Sequence, residues 1–132
     1  MTSKAPAGEK IVLRNQILQV PDQPVLPFIE GDGTGPDIWR ASQAVFDAAV
    51  KKAYGGKRKA AWLEVYAGET AFKKFNNWLP DETVEAFNNY LVGIKGPLTT
   101  PGSGSGEREM CGRVASWVTL YSASWLPTPY WS

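Results

Sequence analysis

Residues 25–36 constrain the fold of this chain more than any other segment. They begin with a compact apolar run, VLPFIE, which continues at once into the glycine loop GDGTG and then Pro36. A short apolar run before a turn signal predicts a buried strand. A proline just after such a loop suits the first turn of a helix, where its missing N–H costs nothing. The segment therefore predicts a strand that a tight loop joins to a helix.

The residues after Pro36 have helical spacing. Trp39 and Phe46 widen an apolar stripe, and the helix is predicted to end at the turn Tyr54-Gly55-Gly56. An apolar stripe with this period is typical of an amphipathic helix. The narrow part of the stripe consists of Ile38, Ser42, Val45, Ala49 and Ala53.

Strand and helix candidates alternate after this helix. The run AAWLEVY predicts a strand at 60–66, and a short helix follows at 68–75. Pro80 opens a further helix, and residues 91–94 predict a third strand. Alternation of this kind predicts the α/β class, with a parallel sheet and crossover helices. The apolar face of the last helix consists of Val84, Phe87 and Leu91.

Two short apolar runs come before the sheet, at 10–13 and 17–20, and the polar triplet Arg-Asn-Gln separates them. Two strand-like runs with a short polar gap that contains Asn favour a β-hairpin. We therefore expect an N-terminal hairpin ahead of the parallel sheet.

Two unusual loops follow predicted strands, at 31–36 and at 95–101. In parallel sheets, ligands bind beyond the carboxyl ends of the strands, so both loops lie where a ligand site is expected. For the first loop, the ordinary interpretation is a tight strand-to-helix turn, because its third glycine comes one position too early for a dinucleotide motif. The functional interpretation is a close approach of the backbone to a phosphate-bearing ligand at the helix N-terminus.

The second loop begins at Lys95 and contains the pair Thr99 and Thr100. A solvated lysine and two turn hydroxyls are the ordinary interpretation of these side chains. The functional interpretation is that the hydroxyls donate to a cofactor amide or a substrate carboxylate.

Composition excludes several classes of site. The chain has no histidine, which excludes a Ser-His-Asp triad and an HExxH zinc site. Its lone cysteine, Cys111, excludes an internal disulfide framework. A net charge of +1 provides no basic field for nucleic acid or an anionic membrane. No apolar run approaches the roughly 18 residues of a membrane span, and no signal peptide is evident, so we expect a cytoplasmic protein.

The character of the sequence changes after Pro101. The run GSGSG is typical of a flexible linker. Residues 114–132 contain no charged side chain, yet they hold three tryptophans, Trp117, Trp125 and Trp131. We therefore treat residues 102–132 as an atypical linker and Trp-rich tail, distinct from residues 1–101.

Taken together, the motifs resemble the N-terminal part of the bacterial-type NADP-dependent isocitrate dehydrogenases, in the isocitrate/isopropylmalate dehydrogenase family. The resemblance runs in matching order from about Lys10 to Pro101. Isopropylmalate dehydrogenases share the glycine loop and the Lys-Gly-Pro motif, whereas the paired threonines and the hairpin favour isocitrate dehydrogenase. The matching motifs are IEGDGTGP at 29–36, YAGE at 66–69, WLP at 78–80 and IKGPLTTP at 94–101.

The resemblance implies a partial large domain of the isocitrate/isopropylmalate dehydrogenase type in residues 1–101. It implies oxidative decarboxylation of isocitrate with NADP, a Mg²⁺ or Mn²⁺ ion held by aspartates, and a homodimer. Isopropylmalate or homoisocitrate oxidation is the alternative enzyme activity. A non-catalytic nucleotide-binding or subunit-interaction module is the alternative outside enzymes. Carried over by position, Lys95, Thr99 and Thr100 line the nicotinamide and substrate end of the cleft, and Gly31, Gly33, Thr34 and Gly35 border the cofactor.

The sequence departs from the family pattern beyond the threonines, where the family binds isocitrate through Arg-Ser-x-Asn. Arg108 aligns with the arginine, but Glu109 stands at the serine and Cys111 at the asparagine. A carboxylate at the serine position would repel a tricarboxylate, much as phosphorylation of that serine switches some family members off.

No counterpart of the family's catalytic tyrosine and lysine, or of its metal-binding aspartates, is present in the chain. We therefore identify neither catalytic residues nor metal ligands, and we expect the chain to be inactive alone. With an unpaired sheet edge and apolar surface exposed, it should be poorly soluble or partly folded. Two origins fit the tail: a reading frame that slipped near residue 102, which we favour, or a small non-catalytic relative. The coding DNA distinguishes them.

Overall fold

A computed structural model of the chain describes residues 6–99. Strands and helices alternate over these residues as the sequence predicts, which confirms the α/β class. The elements are β1 (Val12–Arg14), β2 (Ile17–Gln19), β3 (Val25–Ile29), α1 (Gly35–Tyr54), β4 (Ala61–Glu64), α2 (Glu69–Phe75), α3 (Asp81–Tyr90) and β5 (Ile94–Lys95).

Three strands form a parallel sheet in the order β4-β3-β5, with β3 in the centre. Val25 pairs with Ala61 on one side of β3. On the other side, pairing with β5 begins only at Phe28, opposite Ile94. The preceding residue of β3 is Pro27, which has no N–H to donate to a ladder. The parallel sheet with helical crossovers is confirmed, and its central strand leads directly into the glycine loop.

The predicted N-terminal hairpin is also confirmed. Strands β1 and β2 pair antiparallel, with Leu13 opposite Leu18. Asn15 and Gln16 form the two-residue turn with positive φ angles of 49° and 63°, the left-handed conformation that tight hairpins prefer. All six strand residues are exposed, so this hairpin adds little to the core of the described residues.

Helix α1 packs through a different face from the one that the stripe of small and branched residues indicates. Trp39 is buried and stacks on Phe28 with 4.3 Å between ring centroids, and it meets Trp62 edge-on at 5.1 Å. Ile38 and Val45, by contrast, are 54% and 65% exposed. An amphipathic helix normally turns such a stripe to the core, but here the aromatic residues fill the space against β3 and β4.

The third strand begins later than the sequence pattern indicates. Leu91 lies at the end of α3 with a left-handed φ of 63°, and its N–H donates to the Phe87 carbonyl at 3.1 Å. Only Ile94 and Lys95 pair with β3. Leu91 fits both patterns in the sequence, and the structure assigns it to the helix end. Within residues 6–99, no helix is long and apolar enough to cross a membrane.

Candidate functional site

The two loops that the sequence singles out meet at the carboxyl end of the sheet. Because β3 and β5 are parallel neighbours, the segments that follow them leave the sheet side by side. The N–H of Asp32 donates to the Pro97 carbonyl at 2.7 Å, and the N–H of Gly96 donates to the Ile29 carbonyl at 2.7 Å. The position predicted for both loops is therefore confirmed.

Glycines in the two loops have different surroundings. A Cβ on Gly96 would overlap the Glu30 carbonyl oxygen, so this glycine serves the packing of one loop on the other. Gly33 is exposed, and a Cβ there would meet nothing within 4 Å. Open space above a backbone at φ +60° is where a ligand could approach the chain closely.

Asp32 is the best-connected polar side chain of this edge. It is buried, with 7% of its surface exposed, and it accepts four hydrogen bonds. Its Oδ2 accepts from the N–H groups of Glu69 at 2.9 Å and Thr99 at 2.8 Å. Its Oδ1 accepts from the N–H of Thr70 at 3.0 Å and from the hydroxyl of Thr70 at 2.9 Å.

The environment of Asp32 favours its charged form. Burial alone would raise the pKa of the carboxyl group, but the hydrogen bonds from Thr99, Glu69 and Thr70 outweigh it and hold the pKa below its ordinary value. Asp32 is therefore a carboxylate at neutral pH.

Asp32 was not among the residues predicted for the site, although the sequence contained one signal. Helix α2 begins after Gly68 and has no side-chain cap of its own. A helix start that lacks a local Ser, Thr, Asp or Asn cap leaves its first N–H groups to water or to an acceptor from elsewhere in the chain. Asp32 is the one acidic residue in the two predicted carboxyl-end loops, at 31–36 and 95–101, so it is a candidate for that acceptor.

The predicted ligand-binding side chains are at the same edge. Lys95 is exposed and its Nζ donates to the Gly96 carbonyl at 3.0 Å. Thr34 is exposed at the N-cap of α1, and Thr99 is exposed with its N–H bound to Asp32. The predicted site residues Thr100, Arg108, Glu109 and Cys111, and the tail from 102 to 132, lie outside the described residues.

A small cavity of about 90 Å³ lies beside this edge, between the ends of β3 and β4. The Tyr66 hydroxyl donates to Glu64 at 2.9 Å, and the Lys74 ammonium lies 3.8 Å from the centroid of the Tyr66 ring. This volume is well below the roughly 300–1,000 Å³ of typical ligand pockets, so the cavity is too small for a dinucleotide. The cavity is lined by Ile29, Glu30, Gly31, Pro36, Glu64, Val65, Tyr66, Ala67, Thr70 and Lys74.

A family model described as isocitrate/isopropylmalate dehydrogenase matches residues 25–120. The chain belongs to the isocitrate/isopropylmalate dehydrogenase family. This confirms the resemblance seen in the motifs and the fold that it implies. The matched range includes both loops of the carboxyl-end site, and it extends past Pro101.

Two curated family members show how close the relationship is. The chain is 53% identical over 116 residues to the isocitrate dehydrogenase (NADP) of Coxiella burnetii, which covers 86% of this chain and 27% of that protein. It is 52% identical over 115 residues to the isocitrate dehydrogenase (NADP) of Streptococcus salivarius, which covers 87% of this chain and 29% of that protein. The chain therefore spans less than a third of the length of these relatives.

A solved structure, that of isocitrate dehydrogenase from Methylococcus capsulatus, is also similar. It is 35% identical and gives a TM-score of 0.45, with 62% of this chain and 22% of that chain covered.

Proposed function

We propose that this chain supplies one wall of the cofactor and substrate cleft of an enzyme that oxidatively decarboxylates isocitrate to 2-oxoglutarate and reduces NADP. The observation that carries the proposal is the junction of loops 31–35 and 95–99 at the carboxyl ends of β3 and β5. Ligands of parallel α/β sheets bind in this position, and 53% identity to an isocitrate dehydrogenase (NADP) supports this choice of ligand.

In this proposal, the loop at Gly31, Gly33, Thr34 and Gly35 borders the cofactor. The open space above Gly33 lets a ligand approach the backbone. Helix α1 is 20 residues long, and the positive end of its dipole lies at this loop and favours an anionic group. The exposed hydroxyl of Thr34 stands at the same helix end.

Lys95 and Thr99 form the nicotinamide and substrate side of the proposed cleft. Lys95 carries an exposed ammonium group at the end of β5, where it can attract a substrate carboxylate. The backbone of Thr99 is fixed by Asp32, so its exposed side chain keeps a hydroxyl at a defined position. The family resemblance implies the same role for the hydroxyl of Thr100, which lies outside the described residues.

The cofactor NADP would accept the hydride, and a bound Mg²⁺ or Mn²⁺ would act as a Lewis acid. Among residues 6–99, no three His, Cys, Asp or Glu side chains converge as metal ligands do. These residues do not fit a metal site, and we derive no step through a metal ion from them. A homodimer and a cytoplasmic location are part of the same proposal.

A chimera tests the proposal directly. Residues 1–101 replace the matching segment of the Coxiella burnetii isocitrate dehydrogenase, and NADPH formation is measured with isocitrate and Mg²⁺. We expect turnover from this chimera, and we expect Lys95→Ala to reduce its kcat/KM while Lys57→Ala, in an exposed turn, leaves it unchanged. An inactive but folded chimera would contradict the proposal, as would an unaffected Lys95→Ala variant.

A second chimera tests the departure from the family pattern. When residues 1–113 are transferred, Glu109 and Cys111 come with them, and we expect the loss of isocitrate turnover because a carboxylate repels the tricarboxylate substrate. In this chimera, Glu109→Ser together with Cys111→Asn should restore activity.

The 132-residue chain alone is expected to form no NADPH with isocitrate and Mg²⁺. NADPH formation by the isolated chain would contradict this expectation.

The alternative outside enzymes is a non-catalytic nucleotide-binding or subunit-interaction module, and the exposed apolar face of α1 favours subunit interaction. Ile38 and Val45 are more than half exposed, and such a patch is typical of an interaction surface. Co-purification of the chain with a dehydrogenase subunit would support this function, whereas saturable NADP binding without turnover fits both functions. If the chain does not co-purify with such a subunit, only the first proposal, that the chain is a segment of the enzyme, is supported.

A further inference from the structure

The carboxylate of Asp32 joins two segments that are far apart in the sequence. Glu69 and Thr70 lie 37 and 38 residues from it, and Thr99 lies 67 residues from it. Its Oδ2 is shared between the two segments, since it accepts from Glu69 at 2.9 Å and from Thr99 at 2.8 Å. One buried side chain therefore fixes the start of α2 and the loop after β5 relative to each other.

The surroundings of Asp32 suit a carboxylate better than an amide, because both oxygens accept hydrogen bonds. A Cβ on Gly68 would overlap Oδ2, so the start of α2 is as close to the oxygen as it can come. An amide of the same shape has one acceptor oxygen and one NH₂ donor. Asp32→Asn would turn its NH₂ group toward one of two pairs of donors. In one orientation the NH₂ group faces the N–H groups of Glu69 and Thr99. In the other it faces the N–H and hydroxyl of Thr70.

We propose that Asp32 is a positioning residue that fastens the loop carrying Lys95 and Thr99 to the start of α2, and so keeps this loop in the conformation that binds the cofactor. The binding step rests on the proposed function. The fastening does not, because it follows from the hydrogen bonds of the described residues alone.

Hydrogen exchange with resolution of single amides tests the fastening in the full 132-residue chain at low micromolar concentration. The amide of Thr99 reports the loop, and the amide of Val65 is the reference, since it donates to the Phe28 carbonyl at 2.9 Å within the core. We expect Asp32→Asn to speed exchange at Thr99 relative to Val65 in either orientation of the amide. The increase should be severalfold where the amide oxygen still faces Thr99, because the acceptor has lost its charge, and about ten- to a hundredfold where the NH₂ group faces it.

Two variants serve as matched controls. Asp37→Asn removes a carboxylate whose side chain is 81% exposed, and it should change neither amide. Thr70→Val removes the hydroxyl bond to Oδ1 and leaves the charged Oδ2 that accepts from Thr99, so exchange at Thr99 should speed up clearly less than in Asp32→Asn.

A pH profile of the wild-type chain gives a test that does not depend on the folding of any variant. Protonation of Asp32 weakens its acceptor oxygens, so we expect protection of the Thr99 amide to fall relative to Val65 at low pH. Exchange at Thr99 at the unstructured rate near neutral pH would overturn the proposal. So would equal loss of protection at Thr99 and Val65, either at low pH or in Asp32→Asn, because a general loss of structure predicts equal loss. These readouts need no cofactor, so failure of the proposed function would leave them unchanged.

Discussion

Gly31 lies against the backbone of Pro97, so closely that a Cβ on Gly31 would overlap the Pro97 carbonyl oxygen. The same oxygen accepts the N–H of Asp32 at 2.7 Å. Gly31 also has a φ of +89°, which side chains other than glycine rarely adopt. Both the space and the backbone conformation therefore require glycine where the two loops of the site pack together.

Gly31→Ala should lower the free energy of unfolding by about 2–4 kcal/mol, because left-handed strain and overpacking of the loop contact add together. Gly33→Ala is the matched control, since its φ is also positive at +60° but nothing lies within 4 Å of an added Cβ. Gly33→Ala should lower the free energy of unfolding by only about 1 kcal/mol. Pulse proteolysis in urea on the full chain at low micromolar concentration measures both. Equal losses would show that the loops do not pack as described.

The aromatic face of α1 gives a second prediction. Trp39→Ala should lower the free energy of unfolding by about 3–5 kcal/mol, because it empties the space between Phe28 and Trp62. The neighbouring Ile38 is 54% exposed, and Ile38→Ala should change the free energy of unfolding by less than about 0.5 kcal/mol. The same urea measurement compares them. A larger loss for Ile38→Ala would mean that α1 packs through the stripe that the sequence indicates.

Strand–helix alternation and the junction of the two loops were predictable from the sequence, because both follow from chain order in a parallel sheet. Which face of α1 is buried was not predictable from spacing alone. Ile38 and Trp39 are one residue apart, about 100° around the helix, and both belong to one broad apolar stripe. The choice depends on Phe28 and Trp62, which come from strands whose arrangement the sequence leaves open.

The candidate site was predictable in its position but not in its internal bonds. Lys95 and the glycine loop belong to motifs, and motifs can be found in one sequence. Asp32 acts through the N–H groups of Glu69, Thr70 and Thr99, and backbone donors have no signature in side-chain chemistry. The missing local cap of α2 is a weak signal, because α3 begins after Pro80 without a side-chain cap as well. The cofactor contacts of these residues remain predictions.

Stability should depend on pH through Asp32. Its pKa is lower in the folded chain than the ordinary value of 3.8, so the unfolded chain binds more protons at acid pH. The stabilisation is complete above pH 3.8 and is lost as the pH falls through the folded pKa. Asp32→Asn should remove this part of the pH dependence, while Asp37→Asn should keep it. Urea midpoints, measured near neutral pH and below pH 3.8, check this.

The exposed apolar residues predict poor solubility of the chain on its own. Among residues 6–99, strands β4 and β5 form the edges of the three-stranded sheet, and Val45 is 65% exposed on α1. Val45→Lys should therefore reduce self-association in light scattering at rising concentration. Ala44→Lys adds the same charge at a neighbouring exposed position and should help less. A monomeric wild-type chain with a sharp, cooperative thermal transition at high concentration would contradict the prediction.

The bonds of Asp32 also set an order of events during folding. The contact with Thr99 closes a segment of 67 residues, whereas the contacts at the start of α2 close segments of 37 and 38. Closing a longer segment costs more entropy and delays contact formation. During synthesis, the Thr99 donor is also the last of the three to leave the ribosome. We therefore expect Asp32 to cap α2 first, and the edge of the sheet to close last in this part of the molecule.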